Sequence, residues 1–186
     1  FVHRGIKHHL TITPARILKD GRSIDYYPSS REEVVEDALR KLVSEGSGTF
    51  LDNKAGITFS LYELQKKLKE CEHSLSLTEI KEALSVNAGA RIKLESEDKK
   101  CSLETNMFSA LGLNDRSTGK TRAFVIFNPL VSSSIQDKTF RQIDYIKVME
   151  HKKMISRWLH KRMSHHFRQA DMHIPFTILQ STIIRD

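Results

Sequence analysis

The sequence has little of what defines disulfide-stabilised or membrane proteins. Its 186 residues include only two cysteines, Cys71 and Cys101, too few for a disulfide framework. No apolar run reaches the roughly 18 residues of a membrane span, and the chain begins at Phe1 without a signal-peptide pattern. With 39% hydrophobic and 28% charged residues, the composition is typical of a globular protein, which we expect in a reducing cytoplasm.

Motifs for catalysis are also missing. The sequence lacks G-x-S-x-G, H-E-x-x-H and paired C-x-x-C, and the histidine pairs at 8–9 and 165–166 lack the intervening apolar residue of a nickase metal site. Cys71, His73 and Cys101 could offer three zinc ligands, but without the paired spacing of structural zinc sites. We therefore predict no enzyme activity, no metal and no cofactor, and two small buried cysteines.

One loop resembles the end of a phosphate-binding P-loop, because Gly119 is followed by Lys120 and a threonine. A P-loop needs G-x-x-x-x-G-K-[ST], and the position of its first glycine holds Asn114. A P-loop also opens a helix, whereas residues 123–127 form an apolar run of strand formers. We predict a basic hairpin loop over 114–121 that does not bind ATP.

Positive charge is concentrated near the C-terminus. The net charge is +7, and residues 138–186 carry ten basic and four acidic side chains, a net +6. Residues 1–137 carry twenty basic and nineteen acidic side chains. A local positive field favours a polyanionic partner, most often nucleic acid. A membrane surface is less favoured, because no polybasic block lies beside a large apolar patch.

Three S-x-x-E signals predict three helix starts. Ser30, Ser60 and Ser76 each precede a glutamate by three positions, and apolar residues follow at helical spacing. We place the first helix at about 30–45, with Gly46 ending it.

Strand signals complete the order of elements. Alternating residues on both sides of the turn at 19–22 predict a hairpin over 10–26. Residues 57–59 predict a short strand, and a second hairpin over 92–103 follows the third helix. Helix, strand, helix, turn, helix and hairpin is the order of a winged helix, with a generic α+β domain as the alternative.

The chain after a polar joint at 132–134 repeats the start of this order. Alternation at 143–145 predicts a short strand, and a long amphipathic helix follows from about residue 146. A shorter helix is expected near 178–183. Trp158 is expected to be buried beside an apolar stripe that recurs every four residues, at Ile155, Leu159, Met163 and Phe167.

These patterns predict an α+β fold of tandem winged-helix domains. Residues 1–134 hold the N-terminal hairpin and the first domain, and residues 135–186 begin a second domain that is incomplete at its C-terminus. Glu79 and Glu82 on the third helix oppose phosphate contact and leave the role of the first domain open. The predicted DNA-binding residues are Lys81, Arg91, Lys93, Lys99, Lys100, Arg116, Lys120, Arg122, Lys152, Lys153, Arg157, Lys161 and Arg162.

Four segments resemble iteron-binding plasmid replication initiators, whose two winged helices are joined in tandem. Residues 57–84 resemble their first helix-turn-helix, and residues 123–135, 140–145 and 155–167 resemble their middle part.

The resemblance implies a bacterial cytoplasmic protein, associated with plasmid or nucleoid, that binds repeated double-stranded origin sites and recruits host helicase and initiator. It also implies that one winged helix dimerises while the other reads DNA, so a homodimer is among the expected assemblies. Two alternatives stay open: a tandem winged-helix transcriptional repressor, and a protein–protein or dimerisation module of the replication complex.

Overall fold

The computed structural model describes residues 2–3, 6–51, 53–114, 122–140, 142–166, 173 and 177–185. The described helices are α1 (Ser30–Leu42), α2 (Leu61–Glu70), α3 (Leu77–Gly89), α4 (Pro129–Gln136), α5 (Tyr145–Met149), α6 (Met154–His166) and α7 (Gln180–Arg185). The described strands are β1 (Val2–His3), β2 (Ile6–Thr13), β3 (Ala15–Lys19), β4 (Arg22–Tyr26), β5 (Gly48–Leu51), β6 (Lys54–Phe59), β7 (Arg91–Ser96), β8 (Ser102–Asn106), β9 (Phe108–Leu113) and β10 (Ala123–Phe127). The fold is therefore of the mixed α+β class, as predicted.

The described strands pair antiparallel in separate sheets. One sheet has the order β1-β2-β7-β8, a second has the order β5-β6-β10-β9, and β3 and β4 form a hairpin of their own. In the second sheet, Ile57 of β6 lies opposite Val125 of β10. Because both residues are 1% exposed, this face of the sheet is the inner one.

The main core lies between that inner face and the first three helices. Leu39 of α1, Leu64 of α2 and Leu84 of α3 are each 0% exposed and pack in one cluster with Ile57 and Val125. Burying side chains of this size contributes about 1.5–3 kcal/mol each relative to exposure. This cluster fixes how α2 and α3 lie relative to α1.

Local capping decides where the helices begin. Ser60 with Glu63 and Ser76 with Glu79 form the predicted capping boxes of α2 and α3. The box of α1 lies one residue earlier than predicted, because Ser29 is its N-cap and Glu32 accepts a 2.9 Å bond from the Ser29 N–H. Gly46 leaves helical geometry with a φ of 104°, in a π-helical turn at Val43–Ser47.

The N-terminal hairpin is shorter than predicted. Its turn at Asp20 and Gly21 is confirmed, but its strands are β3 and β4. The preceding strand β2 instead pairs with β7, with Leu10 opposite Leu94. The prediction for residues 10–13 was wrong because sequence alternation identifies a strand without identifying a distant partner.

The predicted polar joint at 132–134 is helical. Asn128 caps α4, its side chain accepting a 3.0 Å bond from the Val131 N–H, and Pro129 is the first helical residue. Ser132 is buried, and its Oγ accepts a 2.9 Å bond from the Ala55 N–H. The predicted boundary between residues 134 and 135 therefore falls inside a helix that contacts the second sheet.

The predicted strand at 143–145 is absent from the described residues there, because Tyr145 begins α5 with Asp144 as its N-cap. The predicted long helix is two helices, α5 and α6, separated at 150–153. Met149 of α5 is 0% exposed and belongs to the main core. The short helix predicted near 178–183 corresponds to α7.

Helix α6 is turned the opposite way from the prediction. Ile155 and Met163 of the predicted core stripe are 48% and 41% exposed, whereas Arg157 is 0% exposed. Trp158 is half-buried rather than buried. The helix therefore presents a charged face to the protein and an apolar face outward.

Three further observations concern the described residues only. None of their helices is both long and apolar enough to cross a bilayer. No group of three or more potential metal ligands lies together among them. Cys71 is half-buried, and Cys101 is exposed rather than buried as predicted.

Candidate nucleic-acid interface

Helix α3 follows α2 after a short turn and lies at the protein surface. Leu68 of α2 and Ile80 of α3 are both 0% exposed and meet in the main core. The turn between the helices is held by Gln65, whose Nε2 donates a 2.8 Å bond to the Leu75 carbonyl. The opposite face of α3 is left outward, with Thr78 and Lys81 exposed.

The two carboxylates of α3 are occupied by the protein itself. Glu79 Oε2 accepts bonds of 2.7 Å from both the N–H and the Oγ of Ser76, and these bonds lower the pKa of Glu79. Glu82 lies 2.9 Å from Lys19 Nζ and 3.1 Å from Arg31 Nη1. The hydrogen bond from Lys19 is the largest cause of the lowered pKa of Glu82. The charge of Glu82 is therefore balanced by two cations, whereas Glu79 stays ionised and exposed beside its capping serine.

Lys81 stays available on the outer face of α3. Its side chain is exposed, and it forms no ion pair with any residue in the described part of the chain. Lys81 is one of the predicted DNA contacts, and the structure leaves its side chain exposed.

The cations predicted on the second hairpin lie on β7 and in its turn. Arg91 Nη1 lies 3.0 Å from Glu104, Lys93 Nζ lies 3.6 Å from Glu95, and Lys100 Nζ lies 3.7 Å from an aspartate two residues earlier. Exposed pairs of this kind contribute about 0–1 kcal/mol, so a phosphate can replace the carboxylate at little cost. Lys99, in the same turn, is exposed and has no ion pair with the described residues.

The basic hairpin loop is only partly described. Strands β9 and β10 pair antiparallel, with Leu113 opposite Ala123, so the predicted hairpin is confirmed at its base. Arg122 lies beside β10 and is exposed. Arg116 and Lys120, like the Gly119-Lys120-Thr121 sequence, lie outside the described residues.

Three predicted contacts near α6 are on the surface or partly so. Lys152 is exposed and lies 2.6 Å from Glu72, which is itself 81% exposed. Lys153 is exposed and has no ion pair within the described ranges. The Arg162 guanidinium stacks over the ring of Trp158, 5.1 Å from its centroid.

Arg157 is placed differently from the prediction. Its guanidinium is fully buried and donates to Glu33 Oε2 at 3.0 and 3.1 Å, to Ser30 Oγ and to the His151 carbonyl. Because of these bonds the Arg157 side chain faces α1 and is not positioned to contact a phosphate.

Lys161 joins the same cluster one helical turn later. Its Nζ lies 2.9 Å from Glu33 Oε1 and 2.6 Å from Asp37 Oδ2. Burial raises the pKa of Asp37, an effect that the charge of Lys161 opposes. Burial alone would lower the pKa of Lys161, but the charge and hydrogen bond of Asp37 outweigh it and raise the pKa. We call Arg157, Lys161, Glu33 and Asp37 the α1–α6 charge cluster.

The sequence carried a signal for this cluster. Glu33 and Asp37 are four residues apart on α1, and Arg157 and Lys161 are four residues apart on α6. Side chains at this spacing share one helix face, so the two pairs are complementary in charge and in spacing. Because the sequence pattern assigns Glu33 to a capping box with Ser30, the pairing of α1 with α6 is not predicted.

Three histidines lie at the same junction, of which the sequence indicated only His73, as a possible zinc ligand. His73, in the turn before α3, has its Nε2 3.1 Å from the Met149 carbonyl, and His151 Nε2 lies 3.0 Å from His160 Nδ1. Burial lowers the pKa of His73, and the charges of Arg157 and Lys152 lower it further. His73 therefore donates to Met149 as a neutral imidazole near neutral pH.

This arrangement is a mixed α+β fold that is similar to solved structures of domains 2 and 3 of RctB. Neither a protein-family model nor a curated protein matches the chain. A solved structure of domains 2 and 3 of RctB matches all of this chain and 72% of its own, with a TM-score of 0.57 and 9% identity. A second structure of RctB domains 2–3 matches 89% of this chain and 67% of its own, with a TM-score of 0.53 and 12% identity. At such identities the likeness concerns the fold.

Proposed function

We propose that this protein is a DNA-binding replication initiator that acts without enzymatic activity. Its fold is similar to that of domains 2 and 3 of RctB, a replication initiator. The observation that carries the proposal is the outer face of α3, where Lys81 is exposed while Glu79 and Glu82 are bonded within the protein. The charge of Lys81 attracts phosphate, and the pairing of Glu82 with Lys19 and Arg31 leaves Glu79 as the one unpaired carboxylate among the described residues of this helix.

The first DNA-binding unit is a winged helix made of α1, α2, α3 and part of the second sheet. The strand before the helix-turn-helix, β6, pairs with β10, and β10 pairs with β9. In this reading the wing is formed by the paired strands β9 and β10, and Arg122 is exposed beside β10. The β7–β8 hairpin is then an insertion, because it pairs with β2 and not with β6.

The functional partners follow from the resemblance described above. We propose repeated origin sites in double-stranded DNA as the target, and host helicase and initiator as protein partners. Residues 135–186 would begin the second winged helix, and a homodimer remains among the proposed assemblies, in a bacterial cytoplasm. A repressor with tandem winged helices would use the same surface.

A protein–protein module of the replication complex is the second candidate function. It is favoured by the outward apolar stripe of α6, where Ile155 and Met163 are about half exposed. Such a module would bind DNA weakly or not at all, so DNA binding separates the two candidates.

The test is a DNA titration by fluorescence anisotropy at several salt concentrations, with an origin-repeat duplex and a shuffled duplex. We expect log K to fall linearly with log salt, and Lys81→Ala to lower that slope by about one. Lys54→Ala is the control, because Lys54 is exposed at the far end of β6 from α2. Absence of salt-dependent binding to either duplex would contradict the proposal and favour the protein–protein module.

A further inference from the structure

The β3–β4 hairpin lies against α3, next to the surface proposed to meet DNA. Ala15 of β3 and Val86 of α3 are both 0% exposed and share a small core with Ala90, which Ile17 and Tyr26 cover. Ala15 also approaches α3 closely, since a Cβ added at Gly89 would lie 3.0 Å from the Ala15 Cβ.

The direction of the hairpin follows from two contacts along α3. Ala15, at its base, packs at the last turn of α3, whereas Lys19, near its tip, pairs with Glu82 in the middle of that helix. The hairpin therefore runs back along α3, and its turn points toward the N-terminal half of the helix. The packing and the ion pair hold it in one position relative to α3.

Arg22 is the cation that this placement leaves available. It lies directly opposite Lys19 in the hairpin register, so both side chains are on the ribbon face that packs against α3. Arg22 is exposed and makes no ion pair with any described residue, while Lys19 is held by Glu82. Arg16 lies on the opposite ribbon face and pairs with Asp25 at 3.3 Å.

The widths of an α-helix and of the major groove determine which part of the DNA lies next to the β3–β4 hairpin. A helix with its side chains is about 10–12 Å wide, and the major groove is about 12 Å wide. A recognition helix therefore fills the groove, and an element packed beside it lies over one of the two phosphate strands.

We infer that the β3–β4 hairpin is a phosphate-binding arm of the DNA interface, with Arg22 contacting the backbone beside the groove that α3 enters. This inference rests on the proposed DNA-binding function. It adds a contact that neither the helix-turn-helix nor the wing supplies, and it gives the N-terminal hairpin a role.

Arg22→Ala should weaken binding to origin-repeat and shuffled duplexes alike, by about tenfold for a charge-assisted hydrogen bond. It should also lower the salt slope by about one. Arg22→Lys keeps the charge and should keep the slope. Arg16→Ala removes the same charge from the same hairpin on the opposite face, and should leave both affinity and slope near those of the unmodified protein.

The outcomes separate this inference from the proposed function. If the unmodified protein binds DNA with a salt dependence but Arg22→Ala binds equally well, the arm is wrong and the proposed function stands. Equal losses in Arg22→Ala and Arg16→Ala would mean a net-charge effect, which also overturns the arm. If the unmodified protein binds no DNA, both fail together. Circular dichroism of each variant checks that the fold is intact. If Arg22→Ala does not fold, Arg22→Gln replaces it in the same measurements.

Discussion

At the scale of single residues, the most consequential side chain is Arg157, because a buried guanidinium must be neutralised. Arg157→Met should lower the free energy of unfolding by about 3 kcal/mol, since Glu33 would stay partly buried with Lys161 as its remaining cation. Lys153→Ala, which removes an exposed cation nearby, should change it by less than about 0.5 kcal/mol. Urea unfolding measures both.

The same pair of variants tests the original prediction for Arg157. If Arg157→Met unfolds at the same urea concentration as the unmodified protein but binds DNA less tightly, Arg157 is a phosphate ligand after all. The structure predicts the reverse, with a large loss of stability.

His73 gives the protein a pH dependence whose sign is defined. Burial lowers its pKa in the folded state below the value of about 6.5 in the unfolded chain. The unfolded chain then binds the proton more readily, so this stability is present above pH 6.5 and is lost as the pH falls through the folded pKa. The free energy of unfolding should therefore decrease between pH 8 and pH 5.

His73→Gln isolates this contribution, because glutamine can still donate to the Met149 carbonyl but does not titrate. Urea unfolding at several pH values should show a smaller decrease in the variant. Parallel curves for the two proteins would assign the pH dependence to other groups.

At the scale of elements, the sequence predicts those features that depend on contacts between residues close in sequence. Ser76 and Glu79 lie three residues apart and bond to each other, so the start of α3 was readable. The partner of β2 was not, because Leu10 and Leu94 are far apart in sequence and strand alternation is the same for any partner. Helix α6 was predicted from its period, but its inward face was chosen by hydrophobicity alone.

Charge complementarity explains why that choice was wrong. Arg157 and Lys161 find Glu33 and Asp37 on α1, and this pairing turns α6 so that its apolar stripe faces outward. The proposed DNA surface shows the same limit. Lys81 could be named from the sequence, but the neutralisation of Glu82 by Lys19 depends on a hairpin more than sixty residues away.

Met149 of α5 and Met163 of α6 test the orientation of these helices. Met149 is 0% exposed and Met163 is 41% exposed. Met149→Ala should destabilise the protein by about 2–5 kcal/mol, as buried methionine truncations do, whereas Met163→Ala should cost less than about 0.5 kcal/mol. Thermal unfolding of both variants measures these losses of stability. A large loss in Met163→Ala would support the orientation of α6 that the sequence predicts.

At the scale of the whole molecule, the predicted domain boundary can be tested by truncation. A fragment of residues 1–136 keeps the complete α4 but loses Met149 from the core and the partners of Glu33 and Asp37. We expect it to be less stable than the full chain by several kcal/mol, since it combines a core vacancy with unpaired buried charge. Equal urea midpoints would instead support independent domains.

The α1–α6 charge cluster also sets an order of events during synthesis. Glu33 and Arg157 are separated by 124 residues, so their contact closes most of the chain into one loop. At about 5–20 residues per second, α1 leaves the ribosome many seconds before α6 is made. During that interval Glu33 and Asp37 of α1 are still solvated by water. When α6 emerges, it meets the acidic face of α1, whose opposite face already packs in the main core. The docking of α6 onto α1 is therefore an electrostatic step that follows the synthesis of α1, and its rate should fall as ionic strength rises.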